Sequence, residues 1–119
     1  MSQLKPYFKP FEKTETYTQD DAEGLAFRKI LPEGIVPDVD MGLVTATGPV
    51  RKFTGTHQTH HQIYLVIQGT GYVYLGAQKI RIDQPGLVLI PCGTEHSIEA
   101  DAGQTMKYIY VNRRLHSEK

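Results

Sequence analysis

Apolar residues recur in short runs from about residue 25 onward: Leu25–Leu31, Val39–Thr47, Ile63–Ile67, Tyr72–Leu75, Lys79–Ile82, Leu87–Ile90 and Lys107–Val111. Turn-forming residues separate these runs at Pro32-Glu33-Gly34, Gly48-Pro49, Gly69-Thr70-Gly71, Gly76, Gln84-Pro85-Gly86 and Cys92-Gly93. Glycine admits positive φ and proline presets a negative one, so each cluster reads as a chain reversal. No window of helical length keeps a helical period without being cut by Gly or Pro. Short strands at regular spacing predict an all-β sandwich or barrel. In the third run the two-residue period puts Ile63, Leu65 and Ile67 on one face and Gln62, Tyr64, Val66 and Gln68 on the other. The polar-aromatic face suits a pocket lining and a wet outer surface equally.

The flanks differ from this core. Residues 1–20 are polar, with Pro6, Pro10 and an aromatic trio of Tyr7, Phe8 and Phe11, and read as an N-terminal arm that wanders or lays its rings on a surface. Residues 21–112 form one barrel domain, and residues 113–119 a charged tail in which His116 carries no role. The 119 residues suffice for one core without disulfides or a structural metal. Thirteen basic residues balance thirteen acidic ones with no long run of either sign, which excludes electrostatic capture of nucleic acid or anionic lipid. No apolar run approaches the roughly 18 residues of a membrane span, and the start lacks a signal-peptide core. A single cysteine forms no internal disulfide and fits a reducing compartment, so a cytoplasmic location is expected.

Two stretches carry the chemistry. One is Gly55-Thr56-His57-Gln58-Thr59-His60-His61-Gln62, leading into an apolar strand. The other is Gly86-Leu87-Val88-Leu89-Ile90-Pro91-Cys92-Gly93-Thr94-Glu95-His96, a strand and a turn with histidine where the next strand begins. Imidazoles at two strand entries can point into one cavity of a small barrel.

These residues resemble the cupin family, whose members are small double-sheet jelly rolls, that is, double-stranded β-helix barrels. The second cupin motif is a glycine, an apolar strand, Pro-x-Gly, two residues and a histidine, matched here by Gly86, Pro91, Gly93 and His96. The strand between Gly86 and Pro91 is one residue short, and Ala100 stands where the family often has asparagine. Counting back from Gly69 through the first motif puts Gln62 in the glutamate position, His57 on the second histidine and Gly55 on the first. The likeness spans roughly residues 40–112.

What the resemblance implies is a divalent metal held near the barrel mouth by imidazoles and a carboxylate. Carried onto this chain, the ligands are His57, His96 and Gln62, with the missing first histidine replaced by His60 or His61. Those two are neighbours, so in one strand they point opposite ways and at most one faces the cavity; His61 is the favoured one. Neutral imidazoles suit iron, nickel, copper or zinc, while manganese prefers the absent carboxylate. With only neutral ligands the ion keeps its charge, which favours an anionic guest. Some cupin lyases use a tyrosine beside this site as a base, which implies that role for Tyr64; a buried phenol that only packs is the plainer reading. Cys92 is either a reactive thiol or a small residue filling a tight turn.

Two function classes follow from the resemblance. The first is a metal-dependent enzyme of dioxygenase, isomerase, lyase or decarboxylase type acting on a small organic acid. The second is a metal-free binding module, because His61 to Gly71 and the closing Tyr108 to Arg114 also look like the sensor half of arabinose-type transcription regulators. No DNA-binding helical domain is expected within these residues, so such a sensor would act through a partner protein. A pure interaction scaffold is a third possibility. Exposed jelly-roll edges and the aromatic arm predict a homodimer in each case.

Overall fold

The fold was obtained as a computed structural model, which describes residues 4–17, 24–49 and 54–115. A 3-10 turn at Phe11–Lys13 leads into β1 (Glu15–Tyr17), β2 (Leu25–Val36) and β3 (Val39–Thr47). Next come β4 (Thr54–Gly55), β5 (His60–Gln68), β6 (Gly71–Leu75) and β7 (Gln78–Ile82). The last are β8 (Gly86–Ile90), β9 (His96–Ala100) and β10 (Thr105–Arg114). They form two antiparallel sheets, one ordered β1-β2-β3-β10-β5-β8 and the other β4-β9-β6-β7. No helix among the described residues is long and apolar enough to cross a membrane.

The registers stack the inner side chains of the large sheet in layers. Asp40, Asn112 and Gln62 lie side by side across β3, β10 and β5. The next layer is Gly42, Tyr110 and Tyr64, and the one below it Val44, Tyr108 and Val66. The interior therefore grades from amides and a carboxylate, through phenols, to hydrocarbon. Phe27, Val73, Ile98 and Met106 close the apolar end, where exclusion of their surface from water supplies the main folding force, while Ile90 sits beside Gln62 in the polar layer. Gly42 has a packing reason: a Cβ there would enter the ring of Tyr110.

The expected strand Val39–Thr47 coincides with β3, and the polar-aromatic face of β5 is the buried one. The expected turn at Pro32-Glu33-Gly34 does not form. β2 continues to Val36 through two register shifts, and the reversal falls where Asp38 adopts φ 66°. An irregular edge segment tolerates both residues, since proline's missing donor costs nothing without a ladder partner. Part of the expected arm is tied down: Glu15–Tyr17 pairs with β2, while Leu4, Tyr7 and Phe8 remain exposed. Likewise the first residues of the expected tail, Arg113 and Arg114, complete β10. The expectation for His116 falls outside the described residues.

Candidate functional site

Three imidazoles meet at the polar end of the interior. The ring of His57 lies 4.4 Å from that of His60 and 4.9 Å from that of His96, between centroids. Each arrives from a different element. His57 follows β4, whose Gly55 pairs with His96 at the head of β9, and His60 opens β5. The turn between β8 and β9 clamps this arrangement, because the Gly93 N–H donates to the His57 carbonyl at 2.7 Å and the Cys92 thiol donates to the same oxygen at 3.4 Å. Cys92 is thereby a brace in the turn.

The state of each donor follows from its partners. His96 is fully buried, and its Nδ1 lies 3.0 Å from the Thr94 carbonyl. A carbonyl only accepts, so Nδ1 carries the proton and Nε2 keeps its lone pair. Gln62 is set by a longer chain of the same logic. Arg114 binds the surface carboxylate of Glu33 and reaches Asp40 Oδ1 at 3.2 Å. Asp40 Oδ2 accepts from Asn112 Nδ2 at 3.0 Å, and Asn112 Oδ1 accepts from Gln62 Nε2 at 2.9 Å. Because a carboxylate accepts only, Asp40 dictates the direction of both amides and turns Gln62 Oε1 toward the imidazoles. Nε2 of His60, Oε1 of Gln62 and Nε2 of His96 are buried and make no hydrogen bond of good geometry. Leaving such atoms unmade costs roughly 1–3 kcal/mol each, a cost expected where a guest completes them.

The rings are neutral at physiological pH. Burial first, and then the neighbouring His60 and His96, push His57 down to about 4 against the opposing effect of the nearby Gln62 side chain. Burial also lowers His60, aided by Arg114, and burial lowers His96 against its bond to Thr94. For histidines lowered on folding, the unfolded chain binds more protons between the two values. Their contribution is therefore intact above about pH 6.5 and is lost as pH falls toward 4. The midpoint of thermal unfolding of metal-free protein is expected to drop across that window, and His57→Gln should flatten the slope. A midpoint constant from pH 7 to 5 would rule this out.

His60, rather than the favoured His61, belongs to the cluster. The two-residue period of β5 places His60 on the buried face with Gln62 and Tyr64 and turns His61 outward. There His61 Nδ1 accepts the Cys92 N–H at 2.9 Å. Tyr64 lies one layer below, edge-on to His96 with centroids 6.0 Å apart and tilted against Tyr108 at 4.5 Å. Burial raises its phenol well above the usual value, against a hydrogen bond from Tyr108. It therefore stays neutral, with its O–H able to donate a hydrogen bond.

Residues 38–116 match the family model of the AraC-like ligand-binding domain. The chain belongs to that family, and its fold is the cupin barrel. An uncharacterized protein of Methanocaldococcus jannaschii is 30% identical over 91 residues, covering 75% of this chain and 71% of that protein. Three solved structures share the barrel. A predicted oxalate decarboxylase of Thermotoga maritima superposes with TM-score 0.80 at 14% identity, covering 92% of this chain and 100% of that one. KdgF of a Halomonas species gives 0.74 at 21% identity, covering 93% and 96%. The polyketide cyclase RemF of Streptomyces resistomycificus gives 0.76 at 15% identity, covering 97% and 89%.

A cavity of about 110 Å³ lies against the cluster in this AraC-like barrel. His57, Gln62 and Asn112 bound its polar side and Tyr17, Tyr64, Tyr108 and Tyr110 its aromatic side. Tyr17 reaches it from β1, with its hydroxyl 2.7 Å from that of Tyr110 and its ring stacked on Phe27. A larger apolar groove of about 340 Å³ opens between β7 and β8, but it holds none of the imidazoles. Convergent polar groups make the smaller cavity the candidate site. Among the described residues, no three His, Cys, Asp or Glu side chains stand in the arrangement of a formed metal centre. Sequence reasoning passed over His60 in favour of its neighbour and missed Asp40, Asn112 and Tyr17. Parity with Gln62 would have found His60; the others need the register of β3, β10 and β1.

Proposed function

We propose that this barrel binds a divalent transition metal through His57, His60 and His96, with Gln62 as a neutral oxygen donor, and that the centre takes a small organic acid. The observation that carries this reading is the set of unpartnered buried atoms His60 Nε2, Gln62 Oε1 and His96 Nε2, of which Gln62 Oε1 and His96 Nε2 are acceptors. The acceptors Gln62 Oε1 and His96 Nε2 repel an anion, so a cation between them and an acid would favour its approach. Neutral nitrogen and amide oxygen donors fit iron, nickel, copper or zinc in their chemistry, although the rings as they stand do not close a ligand cage. When bound, such an ion polarises a carbonyl or carboxylate. Asp40 and Asn112 hold Gln62 in its donor orientation, Thr94 holds the His96 tautomer, and Tyr64 offers a hydrogen bond to the guest from below. The cavity of about 110 Å³ admits only a small guest. Structural neighbours that include a predicted oxalate decarboxylase and a polyketide cyclase are compatible with small-acid or carbonyl chemistry here. A single cysteine fits a cytoplasmic setting.

The test is Gln62→Glu. A carboxylate adds charge to the ligand set and should tighten manganese or iron(II) binding by about tenfold or more. Without metal the variant should be less stable than wild type, because the new carboxylate would face Asn112 Oδ1 and Asn112 Nδ2 is already committed to Asp40. Unchanged affinity in competition titrations would place position 62 outside the coordination sphere. A second reading is favoured by the family match to a ligand-binding domain and by the open arrangement of the rings. In it the acceptors receive hydrogen bonds from a neutral, donor-rich small molecule that stacks on the tyrosines, and no metal takes part.

A further inference from the structure

Both readings of the site depend on Gln62 turning its oxygen, and not its N–H groups, toward the guest. A primary amide has nearly the same shape in either direction, so its partners alone decide which end faces which way. Those partners are buried with it. Gln62, Asn112 and Asp40 are side-by-side neighbours on β5, β10 and β3, each less than a tenth exposed. Gln62 and Asn112 line the cavity, whereas Asp40 and Arg114 stand outside it. Glu33 holds the outer side of the Arg114 guanidinium, which keeps that group against Asp40.

We infer that Asp40, a positioning residue outside the cavity, sets the class of guest the cavity takes: its carboxylate selects a cation or a hydrogen-bond donor at Gln62, and an amide in its place selects an anion. Donors and acceptors along the chain leave one solution in each case. A guanidinium only donates and a carboxylate only accepts. Both oxygens of Asp40 are used, Oδ1 by Arg114 at 3.2 Å and Oδ2 by Asn112 Nδ2 at 3.0 Å. Asn112 Oδ1 is then left for Gln62 Nε2 at 2.9 Å, and Gln62 Oε1 is left for the cavity. Asp40→Asn puts one donor and one acceptor at that position. Arg114 can meet only the acceptor, so the new N–H group faces Asn112. Asn112 must then turn its oxygen to position 40 and its N–H to Gln62. Gln62 in turn gives its oxygen to Asn112 and points its N–H groups into the cavity. Every member stays bonded in this reversed chain. Keeping the native direction would instead set an N–H group against the guanidinium, and a buried donor left unmade costs more than a bond turned round. The reversal therefore passes through both amides. The inference rests on the guest meeting Gln62, as both forms of the proposed function have it, and does not require a metal.

The test is nuclear magnetic resonance of the metal-free, isotope-labelled full chain. A hydrogen bond carries a small scalar coupling from the donor nitrogen to the carbon bearing the acceptor, so the direction of each amide is read directly. Wild type is expected to show the coupling from Gln62 Nε2 to Asn112 Cγ, a readout that requires no variant. In Asp40→Asn it should be replaced by a coupling from Asn112 Nδ2 to Gln62 Cδ. Arg114→Met keeps the carboxylate and should keep the wild-type coupling. Formate is the guest probe, small enough for the cavity. Its dissociation constant should fall about tenfold or more in Asp40→Asn, because N–H groups then replace an oxygen lone pair. Circular dichroism would confirm that both variants fold. The reversed coupling in wild type or in Arg114→Met would overturn the proposal. So would the native coupling retained in folded Asp40→Asn, or a formate affinity equal to that of wild type. None of these readouts involves a metal, so a failure here is distinct from a failure of metal uptake.

Discussion

Protein carrying His96→Ala is expected to bind cobalt(II) or nickel(II) more than about 100-fold less tightly than wild type. His96 is only 1% exposed and its Nδ1 is committed to Thr94, so its Nε2 lone pair is oriented before any guest arrives. It stands at the head of β9, which lies between β4 and β6, in register with Gly55 and Leu75. The substitution also removes buried volume and strands the Thr94 carbonyl, which together cost about 2 kcal/mol of stability. Circular dichroism must therefore accompany the competition titration. His61→Ala is the paired control: its ring faces away from the cluster, and metal affinity should stay within about twofold of wild type. Equal losses in both variants would restore His61 to the site, and no loss in His96→Ala would remove His96 from it.

Gly71→Ala is expected to be the most destabilising of these substitutions, by about 3 kcal/mol or more. A Cβ at this position would meet the Glu99 carbonyl, lie 2.8 Å from Ala100 Cα and lie 2.6 Å from Met106 Cε. The first two are backbone atoms of the paired strand β9 and cannot rotate aside. Relief would require separating β6 from β9, which carries His96. Urea unfolding should show a midpoint well below wild type, or no folded baseline at all. A midpoint close to wild type would mean that the β6–β9 pairing is looser than the structure shows. Gly76→Ala is a useful comparison, since its Cβ meets nothing within 4 Å and only its φ of 57° opposes the change.

The fold was legible where burial imposes one clean period. β3 could be bounded correctly because Asp40, Gly42, Val44 and Ala46 alternate with Met41, Leu43 and Thr45. The sequence His96-Ser97-Ile98-Glu99-Ala100 offered no such run, since its inward and outward residues include a serine and a glutamate that find partners only across the sheet. β2 was shortened because Pro32 and Gly34 are turn residues in most contexts, and only the irregular pairing at that edge lets a strand pass through them. At the site, the Pro91-Cys92-Gly93 turn and the histidine after it were readable from local spacing. The choice between His60 and His61 was readable too, since placing Gln62 and Tyr64 in the cavity already committed His60 to the same face. The chain from Arg114 through Asp40 and Asn112 to Gln62 was not. It joins residues up to 74 positions apart and exists only once β3, β10 and β5 are in register.

The most direct test is a cobalt(II) titration of metal-free, tag-free wild-type protein, followed by its visible absorption and checked by elemental analysis. One ion per chain, with a spectrum characteristic of nitrogen ligation, is the predicted result, because three buried unpartnered atoms of neutral side chains then acquire the partner they lack. No uptake at micromolar protein, with cobalt, nickel, zinc and iron(II) all failing, would contradict it. The cavity would then belong to a neutral, hydrogen-bond-donating guest.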